Sequence, residues 1–249
     1  MAKGPRPPSP FEAARKIERT YAADLRKIAV ELQRIADRYP LLENDPAAHL
    51  PGMEAAMRRY AATLKPWAEA KAQATVERLN AMNKRSWAQH AQNMSKALKS
   101  ELERAPIADV MARYQAEQAA FIGDIAEDAA DRIATLHEDV LLRGKRVDEL
   151  ARDLAATGKV SAARATLIAR TEVARTANGL VRARAEYIGS ESYTWRTARD
   201  GDVRGSHRQM EGHTVRYNDP PILDGKAAHA GEIYNCRCWQ EPDIPDRYF

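Results

Sequence analysis

A mainly α-helical chain that ends in a small α+β module is the fold class this sequence predicts. Apolar residues recur at helical spacing from Phe11 to Tyr187, and only 6% of residues are aromatic against abundant alanine. After Gly189 the spacing shortens and glycine, aspartate and proline become frequent. The first part suits long, thinly packed helices, and the second suits short strands joined by loops. The 249 residues suffice for a sizeable core in one large domain or two small ones. The expected division is an arm at 1–10, an N-terminal helical region at 11–106 and a C-terminal domain at 107–249. That domain would comprise helices to 189 and a compact α+β end, 190–249.

Taken in order, the arm MAKGPRPPSP holds four prolines and is expected to be disordered. Ile17, Tyr21, Leu25, Ile28, Leu32, Ile35 and Tyr39 then form one apolar stripe on a helix that Pro40 stops. Asn44-Asp45-Pro46 reads as a turn, followed by a short helix over Met53–Leu64. Pro66 suits the first turn of a helix through Trp67, Ala70, Ala74 and Leu79. Trp87, Ala91, Met94, Leu98 and Leu102 mark a further helical stretch up to Pro106. These stripes fit bundle packing, and a partner-binding surface is the sharper alternative because alanine-rich helices bury little area alone. On that alternative the helices before Pro106 are a docking element separable from the C-terminal module. His90 and His137 sit singly in helices and read as structural or solvated.

A long helix follows over Asp109–Leu142, closed by Gly144 among basic residues. A short helix over Val147–Ala156 is expected to end at Gly158, with Ser161 capping the next one. On that next helix Arg164, Arg175 and Arg182 share one face at about 100° per residue. They are candidates for contact with DNA phosphates, against the simpler reading of a solvated face. SYTWRTA, HTVRY and CRCWQEP read as three strands.

The net charge of +4 is spread along the chain, which gives little support for a protein built to grip DNA. No apolar run approaches the roughly 18 residues that cross a membrane, and the first ten residues lack the apolar core of a secretory signal. A cytoplasmic setting is therefore expected. There a Cys-x-Cys pair is metal-bound or free rather than a disulfide, and so small a ring would also strain the bridge.

Chemistry-bearing residues concentrate between Asp200 and Cys238. Cys236, Cys238 and His207 are the first three candidate ligands of a zinc ion, because thiolate and imidazole are a common tetrahedral mix. His213, His229 and Asp200 compete for the fourth place, with water as the other occupant. The alternative is a metal-free cluster of buried thiols with His207 hydrogen-bonded to an acid such as Asp200. Any metal held there is expected to be structural, with zinc the candidate and no cofactor the alternative. Neither the H-x-E of zinc deaminases nor the H-E-x-x-H of metalloproteases occurs here. The competing class is a metal-dependent hydrolase or nuclease that uses His207, Cys236 and Cys238.

Three blocks in order, IARTEVARTANG, YTWRTARDGDVRGSHRQMEGH and YNDPPILDG followed by GEIYNCRC, resemble the phage head morphogenesis proteins of the Mu F-like, SPP1 gp7-like family. The positions that carry the resemblance are Arg170, Thr171, Glu172, Asn178, Trp195, Asp200, Arg204, His207, Gly212, Asn235, Cys236, Arg237 and Cys238. A proline commonly precedes the Gly-Glu pair in that family, and this chain has Ala230. The resemblance covers roughly residues 107 to 240. It implies a non-enzymatic minor capsid protein of a tailed phage or prophage. The implied partners are portal protein, scaffold or major capsid protein, with phage DNA as a further candidate. The implied location is the bacterial host cytoplasm during assembly and then the virion head. Arg170 and Glu172, on different sides of their helix, are expected to reach different parts of the compact end, with the Asp200–His207 loop as one anchor point.

Overall fold

Helical spacing in the sequence becomes seven helices among the described residues of a computed structural model, which are 10–40, 45, 47–91 and 95–248. Residues 1–9 of the expected arm, Asn44, Pro46 and Met94 lie outside them, as does the side chain of His90, while Pro10 opens the first helix. Helix α1 spans Pro10–Ala36, α2 Leu50–Thr63, α3 Lys65–Ala91, α4 Lys96–Arg104 and α5 Ala108–Arg143. Trp87 therefore sits on α3, while Leu98 and Leu102 sit on α4, whose N-cap Ser95 accepts a bond from the Leu98 amide. No helix among the described residues is long and apolar enough to cross a membrane.

Helix α6 runs unbroken over Val147–Tyr187 and corrects the expected stop at Gly158. Glycine weakens a helix interior, but a Cβ at 158 would stand 2.5 Å from Gln33 Oε1, so the close approach of that side chain accounts for the residue. Ser161 is not a cap either. It is buried, and its hydroxyl accepts from the Arg132 guanidinium at 2.7 Å.

After Gly189, strands β1 (Ser192–Thr197), β2 (Thr214–Arg216) and β5 (Cys238–Pro242) form an antiparallel sheet in the order β2-β1-β5. Alternation along β1 turns Tyr193, Trp195 and Thr197 inward. Five-residue helix α7 (Gly205–Gln209) lies between β1 and β2. A second, unexpected sheet is the hairpin of β3 (Ile222–Leu223) and β4 (Lys226–Ala227). Its turn is Asp224-Gly225, both with positive φ (52° and 77°), the turn chemistry that favours a two-residue hairpin. The fold class is thus mainly α with a small C-terminal α+β module.

Contacts group the chain into two compact units. One comprises residues 1–19, 73–115 and 170–249, the other 20–72 and 116–169. The unit boundaries fall inside α1, α3, α5 and α6. In the first unit, Trp87, Leu98 and Leu102 join Tyr193, Trp195 and Cys238 in one buried cluster. A cut at Pro106 would therefore divide that core. In the second unit the apolar stripe of α1, with Leu25, Ile28 and Leu32 at 0–1% exposure, is core, as are Met53, Met57, Ile122 and Ile133.

Candidate metal centre

Three short pieces of chain bring the site together. Helix α7 presents His207, β5 opens on Cys238, and the turn before it, with Asn235 at φ 56°, presents Cys236. Only Cys238 lies in a strand, so the turn rather than strand alternation aims the first thiol. His207 Nδ1 stands 3.4 Å from Cys236 Sγ and 3.5 Å from Cys238 Sγ. The ligand atoms of all three residues lie within 4.8 Å of one another, and each residue is 1% exposed. Both cysteines are free. This donor set fits a soft divalent metal.

Donors from the surrounding chain are directed at both sulfurs. The Gly231 amide bonds to Cys236, and the Trp195 indole N–H, which is buried without a well-aligned acceptor, faces Cys238. Hydrogen bonding from the Cys238 thiol, aided by His207 and opposed by burial, brings Cys236 down to about 5. The Cys236 sulfur and burial push Cys238 upward, and Cys236 raises His207.

The competitors for the fourth position lie elsewhere. Asp200 pairs with Arg237 and accepts from the Asp202 amide at 3.2 Å. His213 is exposed, and its backbone carbonyl serves Trp195 at 2.8 Å. His229 is buried beside Tyr193, whose hydroxyl is 3.3 Å from its Nδ1, and burial lowers its pKa. Ala230, where the family commonly has proline, donates its N–H to the Tyr193 hydroxyl at 3.1 Å, a bond proline cannot make.

Asp224 is the residue that sequence reading missed. Its Oδ2 is 3.3 Å from His207 Nε2 and 3.5 Å from the Arg204 guanidinium, while Oδ1 accepts from Ser206 at 2.8 Å. The His207 contact is off the line of an ideal hydrogen bond. The Ser206 bond, with His207 and Arg204, holds the Asp224 carboxyl below its ordinary range. The Asp-Gly pair flanked by Ile-Leu and Lys-Ala was the available signal for the hairpin that carries it.

The remaining motif residues tie helix α6 to the loops around the thiols. Arg170 bonds Asn235 Oδ1 at 2.9 Å and pairs with Glu18 at 3.3 Å. Thr171 accepts from the Asn235 amide at 3.1 Å. The anchor is thus the Asn235 turn, not the Asp200–His207 loop. Buried Glu172 pairs with Arg175 at 3.0 Å. Asn178 covers the free edge of β5, accepting from the Gln240 amide at 3.0 Å and reaching the Cys238 carbonyl at 3.5 Å. Arg204 donates to the Tyr234 carbonyl at 2.8 Å, and Gly212, at φ 85°, follows α7 and leads into β2.

The three candidate DNA-contacting arginines each have a carboxylate partner. Arg164 pairs with Asp128, Arg175 with Glu172 and Arg182 with Glu186. A further carboxylate, Glu211, binds the end of β1 through the Thr197 amide at 2.6 Å and hydroxyl at 2.8 Å, and binds Arg199 at 2.8 Å.

The chain is thus helical with a small sheet module, and its motif residues bond to one another around buried thiols. Residues 131–241 match the family described as Phage Mu protein F like protein. A 121-residue stretch, 49% of the chain, is 31% identical to an uncharacterized protein of Haemophilus influenzae. It covers only 26% of that protein. No solved structure matches the chain.

Proposed function

We propose that this chain is a minor head protein of a tailed phage or prophage and acts in head morphogenesis at the portal and the head interior. The observation that carries this reading is that the motif residues bond to one another. Arg170 and Thr171 hold the Asn235 turn, Asn178 holds β5, and Asp200 holds Arg237. Such residues build a framework around the thiols. Burial of His207, Cys236 and Cys238 to 1% exposure speaks in the same direction against the hydrolase or nuclease alternative. The Mu F-like domain is assigned to residues 107–249, completed by core residues from 73–105, and the earlier helices serve as docking element. Portal protein, scaffold or major capsid protein are the partners, met in the host cytoplasm before the protein enters the head.

The test is assembly of heads in cells with and without this chain, followed by analysis of purified heads. The chain should co-purify with heads and portal protein, and its loss should reduce the yield of filled heads. Normal heads in its absence, together with no chain in heads made in its presence, would overturn the assignment.

A further inference from the structure

We propose that His207, Cys236 and Cys238 form a zinc centre in which Asp224 is the outer carboxylate that orients His207. This goes beyond the head-assembly reading and stands or falls separately from it. The argument begins with the three donor atoms. Tetrahedral zinc, with Zn–S about 2.3 Å and Zn–N about 2.0 Å, sets sulfur and nitrogen about 3.5 Å apart. The two observed separations are 3.4 and 3.5 Å. A single Nδ1–H is directional and serves one sulfur well, whereas a cation between the three atoms satisfies both sulfurs and the ring nitrogen together.

The second half of the argument is the other ring nitrogen. Metal on Nδ1 leaves the imidazole neutral with its proton on Nε2, and a ligating histidine normally hands that proton to a carboxylate or carbonyl. Nε2 is buried, lacks a well-aligned acceptor, and stands 3.3 Å from Asp224 Oδ2. Ser206, one residue before His207, holds the other oxygen of the same carboxylate. The hairpin turn at Asp224-Gly225 thus places an acid where an outer ligand belongs. Gly231 N–H on Cys236 and the Trp195 indole facing Cys238 supply the donors that thiolate ligands take. The described residues supply three ligands, and water completes the fourth position.

The experiment uses the full chain, reduced and purified without a metal-binding tag, then stripped with a chelator. Zn(II) alone is titrated in competition with a chromophoric chelator, and Co(II) alone is followed by absorption. The expected result is about one metal per chain and a thiolate-to-cobalt band with the visible spectrum of a tetrahedral ion. Cys238→Ser should weaken that band. Asp224→Asn, on a partly exposed turn, should keep the fold and the stoichiometry while lowering Zn(II) affinity roughly 10–100-fold. No binding of either metal by the folded wild-type chain, or unchanged affinity in Asp224→Asn, would overturn the proposal. Should Cys238→Ser fail to fold, the Asp224→Asn affinity still decides it.

Discussion

Asn178 and Gly231 share a space that admits only one side chain. A Cβ on Gly231 would stand 2.0 Å from Asn178 Nδ2, and Gly231 itself sits at φ 86°. The amide of Asn178 passes through that gap to the edge of β5, where it takes the place of a neighbouring strand. Gly231→Ala should destabilise the protein by about 2 kcal/mol or more, from strain and lost bonds together. Asn178→Ala should lose about 2 kcal/mol, and the double variant should lose clearly less than the sum. Melting curves of the four proteins check this, and additive losses would mean the two residues act independently.

Glu211 is expected to make stability depend on pH on the acid side. Burial works against its charge, but bonds from Arg199 and Thr197 hold its carboxyl below the ordinary value of 4.5. A group depressed in the folded state stabilises above its unfolded pKa, and that contribution disappears as pH falls through the folded one. Melting temperatures between about pH 3 and 6 should therefore fall more steeply for the wild type than for Glu211→Gln. At neutral pH the variant should lose about 2 kcal/mol.

Arg184 is 1% exposed and is held by two neutral amides, Asn83 Oδ1 at 2.5 Å and Asn80 Oδ1 at 2.6 Å. Burial lowers its pKa to about 10, so at neutral pH it remains a cation. Replacing both asparagines by leucine strands that charge and should cost about 3 kcal/mol or more. Arg184→Leu leaves only neutral groups unpaired and should cost less. Denaturant unfolding of the two variants gives the order directly.

Removing residues 1–105 should leave a remainder that does not fold cooperatively, because Trp87, Leu98 and Leu102 belong to the cluster around Trp195. A fragment starting near residue 73 should recover more ordered sheet than one starting at 106. Near-ultraviolet dichroism of the tryptophans distinguishes them, and a well-ordered 106–249 fragment would show that the sequence-based boundary is self-sufficient.

For α6, Arg164→Gln should reduce stability by about 0.5 kcal/mol through loss of Asp128, without changing DNA affinity. Titration of DNA at low salt measures the second part. A DNA-contact role would instead appear as weaker binding and a shallower salt dependence, by roughly 0.9 in slope for each lost phosphate contact.

The helices were legible because their cores are stripes. Leu25, Ile28 and Leu32 announce a buried face whatever they pack against. Gly158 misled because a propensity argument cannot see Gln33, a residue 125 positions away that fills the space beside it. The thiol–imidazole cluster was legible from residue types and order. Asp224 was not, since nothing local links it to His207; only folding of the hairpin brings them within 3.3 Å. The arginine face of α6 was real as a periodicity, yet periodicity does not show that Asp128, Glu172 and Glu186 already occupy the guanidinium groups.

The way the sheet module is closed has a kinetic consequence. The Tyr248 hydroxyl bonds Glu101 across 147 positions of chain, and the Arg184–Asn80 bond spans 104. Closing such loops before any local contact repays the lost entropy is slow, and the penalty grows with the logarithm of loop length. Helices such as α6 need no partner so distant to begin forming. Refolding followed by far-ultraviolet dichroism should thus run ahead of refolding followed by tryptophan fluorescence, with Trp87 and Trp195 reaching their native environment in the slower phase.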